Sequence, residues 1–244
     1  MAIESRWISA QAQSLEQSFP NVTLPTFEVT AQSVRSRPGV ESLIWAPLLT
    51  SSAEHDAWQE YAVEHQDWIS QARVLAGNDY DWETTGTSEI IGYIFDVTEK
   101  GEKVPSQGEL LAPAWQVSPP PMDPASSVCQ NLLTTESVRT LLQAVNASRE
   151  TLLTSNIVNS QDTPQTFIMT PIVESSSSPQ GASLVGLLQA VLSWENVMSG
   201  IVTTTPGAID IVLRNSCSEL YTYKVYGQEV SEFCQVSWQD EMNQ

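Results

Sequence analysis

Basic residues are scarce in this chain. Lys and Arg together number 10 against 29 Asp and Glu, which gives a formal net charge of −19. A nucleic-acid partner needs clustered Lys and Arg to face its phosphates, so this balance argues against nucleic-acid binding. The same deficit argues against adsorption to an anionic membrane surface. We expect a surface rich in Ser, Thr, Gln and Asn, with scattered carboxylates.

Long apolar runs are also missing. No segment approaches the roughly 20 apolar residues that span a bilayer, and the opening "MAIESRWISAQAQ" lacks the apolar core of a secretory signal. Taken as a whole protein, such a chain is predicted to be soluble and intracellular. Taken as an excised piece, it is predicted to be a domain whose flanks were removed. The 41% hydrophobic content and eight Trp predict a folded core in either case.

Histidine and cysteine are too few and too dispersed for a metal site. Both histidines, His55 and His65, fall in the stretch "AEHDAWQEYAVEHQDW". On a helix they would lie about 80° apart and nearly three turns along the axis, so they cannot share an ion. The chain has no CxxC pair and no Cys/His cluster. We therefore expect no metal and no cofactor.

Catalytic signatures are absent from the sequence. It contains no GxSxG elbow, no GxxxxGK[ST] loop, no HExxH and no GxGxxG. Paired carboxylates of the glycosidase type remain an alternative, although 29 acids make any pair unspecific. The stretch "GNDYDWE" comes nearest to a calcium loop but lacks its Gly and its spacing. The sequence therefore favours a binding function over an enzymatic one.

The first part of the chain mixes helices and strands. Apolar periodicity predicts a helix over Ile3–Phe19, and "ESLIWAPLL" predicts a buried strand. Ser51 and Glu54 fit a capping box. The helix that they begin is predicted to carry one buried face made of Trp58, Tyr61, Ala62, His65, Trp68 and Ile69. "IIGYIFDV" and "LLAPAWQVSPPPMDP" predict two more strands, the first with Tyr93 and Phe95 on one side.

The rest of the chain predicts a second unit of similar composition. "TTESVRTLLQAVNASRE" reads as a helix with Val138, Leu141, Leu142 and Val145 inward, and "TLLTSNIVN" as a strand. "TFIMTPIVE" is a strand, and "LVGLLQAVLSWENVMSGIV" begins as a strand and turns into a helix. "AIDIVLRNS" and "LYTYKVYG" form a closing hairpin. This order predicts an α/β (α+β) fold with antiparallel sheets.

Aromatic residues on the predicted strands suggest a ligand pocket. Small-ligand pockets are mostly apolar and carry a few polar groups that orient the ligand. If the strands are neighbours, the pocket is lined by the aromatic residues Trp45, Tyr93, Phe95 and Trp115 and by the polar residues Gln116 and Ser118. The alternative for each of these residues is an ordinary place in the hydrophobic core.

Two features would suit an extracellular location. Sequons for N-glycosylation occur at Asn21 and Asn146. Cys217 and Cys234 flank the predicted hairpin "CSELYTYKVYGQEVSEFC", where they form either a disulfide in an oxidising compartment or two buried thiols. Cys129 is left over as a buried or free thiol.

Seven stretches of the chain, taken in this order, carry a resemblance to a known family. They are "RPGVESLIWAPLL", "SAEHDAW", "PPPMDP", "LLTSNIV", "TFIMTPIVES", "SLVGLLQAVLSWENVM" and "IDIVLRNSCSELYTYKVYG". With the order of the predicted elements, they resemble a CHASE sensor domain. The likeness covers about Trp7 to Gly227 and is closest to the ectodomains of receptor-type nucleotide (guanylate) cyclases of diatoms and related algae. One departure is His55, which stands where the family often has an Arg.

The resemblance implies an extracellular ligand-sensing domain between two transmembrane helices, on the outer face of the plasma membrane. Its fold would be a long N-terminal helix (1–20), a membrane-distal PAS-like subdomain (21–160) that holds the pocket, and a membrane-proximal one (161–244). Binding of an unknown small molecule would control a cytosolic nucleotide cyclase or histidine kinase. A homodimer through the N-terminal helix is expected.

Two alternatives to a receptor stay open at this stage. One is a secreted soluble enzyme, for example a hydrolase that uses carboxylates. The other is a glycoprotein domain that binds another protein. Some family members bind cytokinins, but no position of this chain matches the pocket carboxylate of those members.

Overall fold

The architecture comes from a computed structural model, which describes residues 8, 17–77, 90–134, 136–154, 157–158, 164–174, 183–199, 209–214, 219–226 and 229–237. Its strands are β1 (Val40–Pro47), β2 (Phe95–Val97), β3 (Lys103–Pro105), β4 (Gln116–Ser118), β5 (Leu152–Leu153), β6 (Ile157–Val158), β7 (Pro164–Val173), β8 (Leu184–Ser193), β9 (Ile209–Arg214), β10 (Glu219–Tyr226) and β11 (Glu229–Ser237). Its helices are α1 (Phe27–Arg35), α2 (Ser52–Glu64), α3 (Trp68–Ala76), α4 (Pro124–Ser127), α5 (Glu136–Ser148) and α6 (Trp194–Ser199).

A six-stranded antiparallel sheet forms the centre of the fold. Its order is β4-β1-β8-β7-β5, and β6 also pairs with β7. The long paired strands β7 and β8 are consecutive in the chain. Strands β1 and β8 also pair, although they are the first and the last strands of this sheet in chain order. The sequence of β8, "LVGLLQAVLS", contains no charge and is buried along most of its length. Such a run is typical of a strand that is covered on both faces.

Helices cover the two faces of this sheet and create two cores. On one face, Leu43 and Trp45 of β1 and Leu188 of β8 belong to a core with α1, α2 and α3. On the other face, Ala46 and Leu187 belong to a core with α5. Successive residues of a strand point to opposite faces, so the alternation along β1 sends neighbouring side chains into different cores.

A smaller sheet follows the central one in sequence. Strands β9, β10 and β11 form it in the order β11-β10-β9. Helix α6 leaves the end of β8 directly and contacts β10 and β11. Met198, Tyr223 and Val225 form the buried core of this unit. A third sheet is the short hairpin of β2 and β3.

The prediction of an α+β fold with antiparallel sheets is confirmed. The turn from strand into helix at β8 and α6, and the closing hairpin of β9 and β10, are also as predicted. The predicted inward face of α5 is confirmed, because its four apolar residues are at most 7% exposed.

The predicted N-terminal helix Ile3–Phe19 lies mostly outside the described residues. Within it, Ile8 is helical and fully buried in the core under α1, α2 and α3, whereas residues 17–19 are not helical, so the predicted end at Phe19 is wrong. The division at residue 160 into two PAS-like subdomains stays a prediction. Strands from both sides of that boundary are hydrogen-bonded in the central sheet, since β1 pairs with β8.

The single helix predicted after Ser51 is wrong, because the structure has two helices. Ser51 caps the first, and its hydroxyl accepts a hydrogen bond from the Glu54 backbone at 3.3 Å. That helix ends at Glu64 and is followed by its C-cap His65, whose ring nitrogen bonds the Tyr61 carbonyl at 2.9 Å. His65 was predicted to face inward and is exposed instead. The Tyr61 carbonyl also accepts the His65 backbone N–H at 3.0 Å, so both contacts of His65 are local, and the chain restarts as α3 at Trp68.

Three predicted strands are shorter than the sequence indicated. "IIGYIFDV" is a strand only from Phe95, because the Ile94 N–H donates to the Gln59 side chain at 2.9 Å instead of to a neighbouring strand. "LLAPAWQVSPPPMDP" is a strand only over β4, because the Ala114 N–H before it donates to the Gln130 carbonyl at 2.8 Å and the prolines after it have no N–H to extend the ladder. "TLLTSNIVN" contains the two short strands β5 and β6.

Candidate functional site

An apolar groove opens where α5 meets the central sheet. We call it the α5 groove. Its volume is about 300 Å³. Its walls are Leu48 and Thr50 after β1, Leu184 at the start of β8, Leu110, Leu133, and the α5 residues Arg139, Leu142, Gln143 and Asn146. A mostly apolar wall with a few polar groups is typical of sites that bind small molecules.

The polar wall of the α5 groove follows from the helix period. Arg139, Gln143 and Asn146 are spaced at i, i+4 and i+7, so they form one stripe along α5. Val138, Leu141 and Val145 lie on the adjacent stripe and are buried against the sheet. The groove therefore lies at the border between the apolar and the polar faces of α5, where an amphipathic helix presents both kinds of side chain.

A second pocket of about 360 Å³ adjoins this groove. We call it the Asp96 pocket. The two share Leu110, Leu133 and Arg139, so the Arg139 side chain stands at their junction. The Asp96 carboxylate accepts hydrogen bonds from the Ser106 hydroxyl at 2.7 Å and from the Asn131 amide at 3.1 Å. Those bonds hold the carboxylate at the pocket wall.

Arg139 is held by two partners of different strength. Its Nη1 donates to the Leu133 carbonyl at 3.1 Å, and its Nε and Nη2 each lie 3.1 Å from the same Glu136 carboxylate oxygen. The side chains of Arg139 and Glu136 are 51% and 81% exposed. Ion pairs that exposed contribute little free energy, because water screens them. The carbonyl contact thus positions a guanidinium whose carboxylate partner is easily replaced.

The six predicted pocket residues are almost all packed in the core. Trp45, Phe95, Trp115, Gln116 and Ser118 are at most 1% exposed, whereas Tyr93 is 36% exposed. The structure brings Trp45, Trp115 and Gln116 together. Trp45 of β1 is the cross-strand partner of Gln116 of β4. The backbone N–H of Trp115 donates to the Trp45 backbone carbonyl at 2.8 Å. Phe95 and Tyr93 contact each other edge to face, 6.5 Å apart.

The polar groups of three predicted pocket residues bind the chain's own segment 22–24. The Trp45 indole donates to the Val22 carbonyl at 3.3 Å, and the Trp115 indole to the Thr23 hydroxyl at 3.0 Å. The Gln116 amide accepts from the Leu24 N–H at 2.8 Å and donates to its carbonyl at 3.0 Å. This segment therefore occupies the positions at which a ligand would otherwise satisfy these groups.

Ser118, the sixth predicted pocket residue, ties α1 to β4. Its hydroxyl accepts a hydrogen bond from Nε of Arg35 at 2.8 Å, and Nη2 of the same Arg35 binds the buried Glu28 carboxylate at 2.8 Å. Burial raises the pKa of Glu28 above its usual range, and the contacts with Ser118 and Arg35 oppose that rise. None of the six predicted residues lines the α5 groove or the Asp96 pocket.

An aromatic cluster surrounds Trp115 on the face covered by α2 and α3. The Trp58 and Trp68 rings meet it edge to face at 5.5 and 5.7 Å, and Tyr61 lies 6.2 Å away. The indole N–H groups of Trp58 and Trp68 have no hydrogen-bond partner in the part of the chain that the structure describes. The Tyr61 hydroxyl bonds the Thr23 hydroxyl at 2.7 Å, and burial raises the pKa of Tyr61.

The predicted modification sites differ in their surroundings. Asn146 is exposed in the last turn of α5 and lines the α5 groove. Asn21 is half-buried. Cys129 is a free, buried thiol, and burial raises its pKa to about 12. Cys217 lies outside the described residues, so the predicted pairing with Cys234 of β11 stays a prediction.

The sequence predictions missed the α5 groove. Leu142 was assigned to the core, which is correct, and no role was predicted for the polar stripe next to it. The spacing of Arg139, Gln143 and Asn146 was visible in the sequence. Nothing in the sequence indicated that Leu48 and Leu184, which are distant along the chain, face this stripe.

No protein-family model matches this chain, and no curated protein matches it. Among the described residues, no group of three or more His, Cys, Asp or Glu side chains is placed to hold a metal ion. In the same part of the chain, no helix is both long enough and apolar enough to cross a membrane.

Proposed function

We propose that this chain is the extracellular ligand-sensing domain of a transmembrane receptor of the CHASE type. In this proposal, binding of a small molecule controls a cytosolic nucleotide cyclase or histidine kinase. The observation that carries it is the α5 groove, an apolar cavity with a short polar stripe at the contact between a helix and the central sheet. Cavities of this kind hold small molecules rather than macromolecules.

The topology of the central sheet supports the PAS-like part of the proposal. Counted along the path β4-β1-β8-β7-β5, the strands stand in chain order 2-1-5-4-3. The strands that come first and last in the chain, β1 and β8, are thus neighbours in the middle of the sheet, as in a PAS-type sheet. Helices α1, α2 and α3 lie between the first two of these strands or before them, and α5 lies between the second and the third.

The course of β8 offers a route from the groove to the C-terminal part of the chain. Its first residue, Leu184, lines the α5 groove, and its last, Ser193, is followed at once by α6. Helix α6 contacts β10 and β11 of the smaller sheet. A ligand that favours one spacing between α5 and β8 would therefore also favour one position of α6. This is a population shift between two arrangements of the same packed elements.

The carboxylate hydrolase remains the weaker alternative. A glycosidase of that type needs two facing carboxyl groups. In the described part of the chain, the walls of the α5 groove and the Asp96 pocket contain a single carboxylate, Asp96. No specific observation favours the protein-binding alternative.

The proposal is tested by screening small molecules for those that raise the unfolding temperature of the whole chain, and by repeating the test with Gln143→Trp. The new ring would fill the groove, so the shift caused by a true ligand should disappear. Thr140→Trp is the matched control, because it places the same ring on an exposed position of α5 outside the groove. The proposal would be contradicted if every ligand still raised the unfolding temperature of both variants, or if the screen found no ligand.

A further inference from the structure

We infer that the α5 groove binds a small amphiphilic monocarboxylic acid, with the carboxylate on Arg139 and the apolar body against Leu142 and Leu184. The inference rests on the proposed function, because it assigns the ligand class of the same groove. It is carried by the charge of the groove, by the row of donors on α5, by the exposure of Glu136 and by the size of the cavity.

The charge of the α5 groove is opposite to that of the chain. The whole chain carries a net charge of −19, with 10 basic residues against 29 acidic ones. Among the residues that the structure describes, the groove wall nevertheless contains one cation, Arg139, and no Asp or Glu. A cationic ligand would be repelled by the guanidinium, and no carboxylate among the described wall residues would offset that repulsion. An anionic group is therefore the charge that this wall accommodates.

Arg139, Gln143 and Asn146 form a row of hydrogen-bond donors. A guanidinium has five N–H donors in a planar fork, and each carboxamide adds two more. The spacing of these residues on α5 places them side by side along the groove. A carboxylate fits this row, since it accepts two parallel bonds from one Arg and has lone pairs left for an amide.

The contacts of Arg139 favour exchange of its carboxylate partner. The bond from Nη1 to the Leu133 carbonyl holds the guanidinium at the junction of the two pockets. Its ion pair with Glu136 lies on the surface, because the Glu136 side chain is 81% exposed. A ligand carboxylate partly shielded by Leu142 and Leu184 would interact more strongly, since the effective dielectric constant falls away from bulk water.

The size and the single charge of the ligand follow from the same wall. A volume of about 300 Å³ holds on the order of ten non-hydrogen atoms, at roughly 30 Å³ for each. Five leucines line this space and require an apolar body, namely Leu48, Leu110, Leu133, Leu142 and Leu184. A phosphate ester carries close to two negative charges and would be repelled more strongly by this acidic chain than a monocarboxylate.

The test compares three probes with the same tail on the whole chain. They are octanoate, octanamide and octylammonium, and binding is measured by isothermal titration calorimetry at millimolar probe concentration. We expect octanoate to bind most tightly and octylammonium least tightly. Gln143→Trp should abolish octanoate binding, whereas Thr140→Trp should leave it unchanged.

Substitutions of the ion pair identify the residue that recognises the carboxylate. We expect Arg139→Gln to weaken octanoate binding about tenfold, the loss typical of one charge-assisted hydrogen bond, and to weaken octanamide binding much less, because the uncharged amide can still accept a hydrogen bond from Gln. An unchanged circular dichroism spectrum shows that the variant is folded. Glu136→Gln removes the competing carboxylate and should tighten octanoate binding several-fold.

Three results would overturn the inference. They are no octanoate binding, equal affinity for octanoate and octanamide, and an octanoate affinity that Arg139→Gln does not change. Equal affinities that both disappear in Gln143→Trp would overturn the ligand class alone and leave the proposed sensor function in place. If a screened compound bound the groove and octanoate did not, the ligand class would again be overturned and the proposed sensor function would stand.

Discussion

At the scale of single residues, the contact of Gly186 with Trp45 shows how tightly the central sheet packs against the helices. Trp45 is fully buried on β1, and Gly186 lies on the neighbouring strand β8. A methyl group at Gly186 would overlap the Trp45 ring and would approach the Ala46 carbonyl oxygen to 2.9 Å. The absence of a side chain at Gly186 is therefore what admits the indole.

Gly186→Ala should destabilise the chain. Overpacking of a filled core typically costs about 1–3 kcal/mol, because side chains and backbone must shift. The change is measured as the free energy of unfolding in urea. Gly92→Ala is the matched control, since a methyl group there has its nearest neighbour at 3.5 Å, which is ordinary contact. A Gly186→Ala variant as stable as the Gly92→Ala variant would contradict this account of the packing.

Residue types in the sequence indicated burial better than they indicated binding. The large apolar residues Trp45, Phe95 and Trp115 were predicted to lie inside or around a pocket, and they are buried. Gln116 was expected to orient a ligand and instead holds Leu24 of the same chain. A buried amide requires a partner, but composition does not say whether that partner is a ligand or a backbone segment brought close by the fold.

At the scale of elements, α1 contains an ion pair whose arginine also binds the central sheet. Glu28 in its first turn and Arg35 in its last are 2.8 Å apart, and Arg35 also reaches Ser118 of β4. The Glu28 side chain is 1% exposed and that of Arg35 is 17% exposed. A carboxylate buried to that extent depends on its cation.

Arg35→Met should destabilise the chain by about 3 kcal/mol at pH 7, because it leaves a buried charge without a partner. Burial already raises the pKa of Glu28, and loss of Arg35 would raise it further. A carboxyl group with a raised folded-state pKa contributes stability that is present at low pH and is lost as the pH rises. The deficit of the variant should therefore shrink as the pH falls through the raised folded-state pKa of Glu28, and should be smallest below the usual Glu pKa of about 4.3.

Urea unfolding of the wild type and Arg35→Met at acidic and neutral pH measures this dependence. The double variant Glu28→Gln with Arg35→Met removes both charges and should recover much of the lost stability at pH 7. An Arg35→Met deficit that does not change with pH would show that the loss comes from packing of the Arg35 side chain rather than from the charge.

Helices and strands were predictable where neighbouring residues determine their ends and faces. They were less predictable where a contact distant along the chain determines them. The cap at Ser51 and the inward face of α5 follow from short-range spacing, and both are present. The break between α2 and α3 contains no Gly or Pro. It allows Trp58 and Trp68, ten residues apart, both to reach Trp115. That requirement comes from Trp115, which lies just before β4 and more than forty residues further along the chain.

At the scale of the whole molecule, the excess of negative charge opposes folding. A net charge of −19 on a compact chain of 244 residues creates repulsion that the expanded unfolded chain relieves. Salt should therefore stabilise the folded state. We expect the unfolding temperature to rise between about 0.01 M and about 0.15 M NaCl, as the screening length falls from about 30 Å to about 8 Å.

The control for this prediction is the same titration near the isoelectric point. At a pH close to 4.2 the net charge approaches zero, and the rise should disappear. An unfolding temperature that is indifferent to salt at pH 7, or that falls with salt, would show that favourable ion pairs outweigh the net repulsion.

The fold class was predictable at this scale, whereas the order of the strands was not. Alternation and turn signals identified most strands and implied antiparallel sheets. The pairing of β1 with β8 depends on which apolar faces meet after collapse, and no local pattern encodes it. The α5 groove depends on the same pairing, because Leu48 and Leu184 become neighbours only through it.

The pairing of β1 with β8 also affects how the chain is made on the ribosome. Trp45 pairs with Leu188, which is synthesised about 140 residues later. At roughly 5–20 residues per second, this delay is about 7–28 s. During that time an apolar strand exposes an edge of unpaired backbone groups that other nascent chains can join. Chains released before β8 is complete would therefore be prone to aggregate, because β1 keeps an unpaired edge until its partner is made.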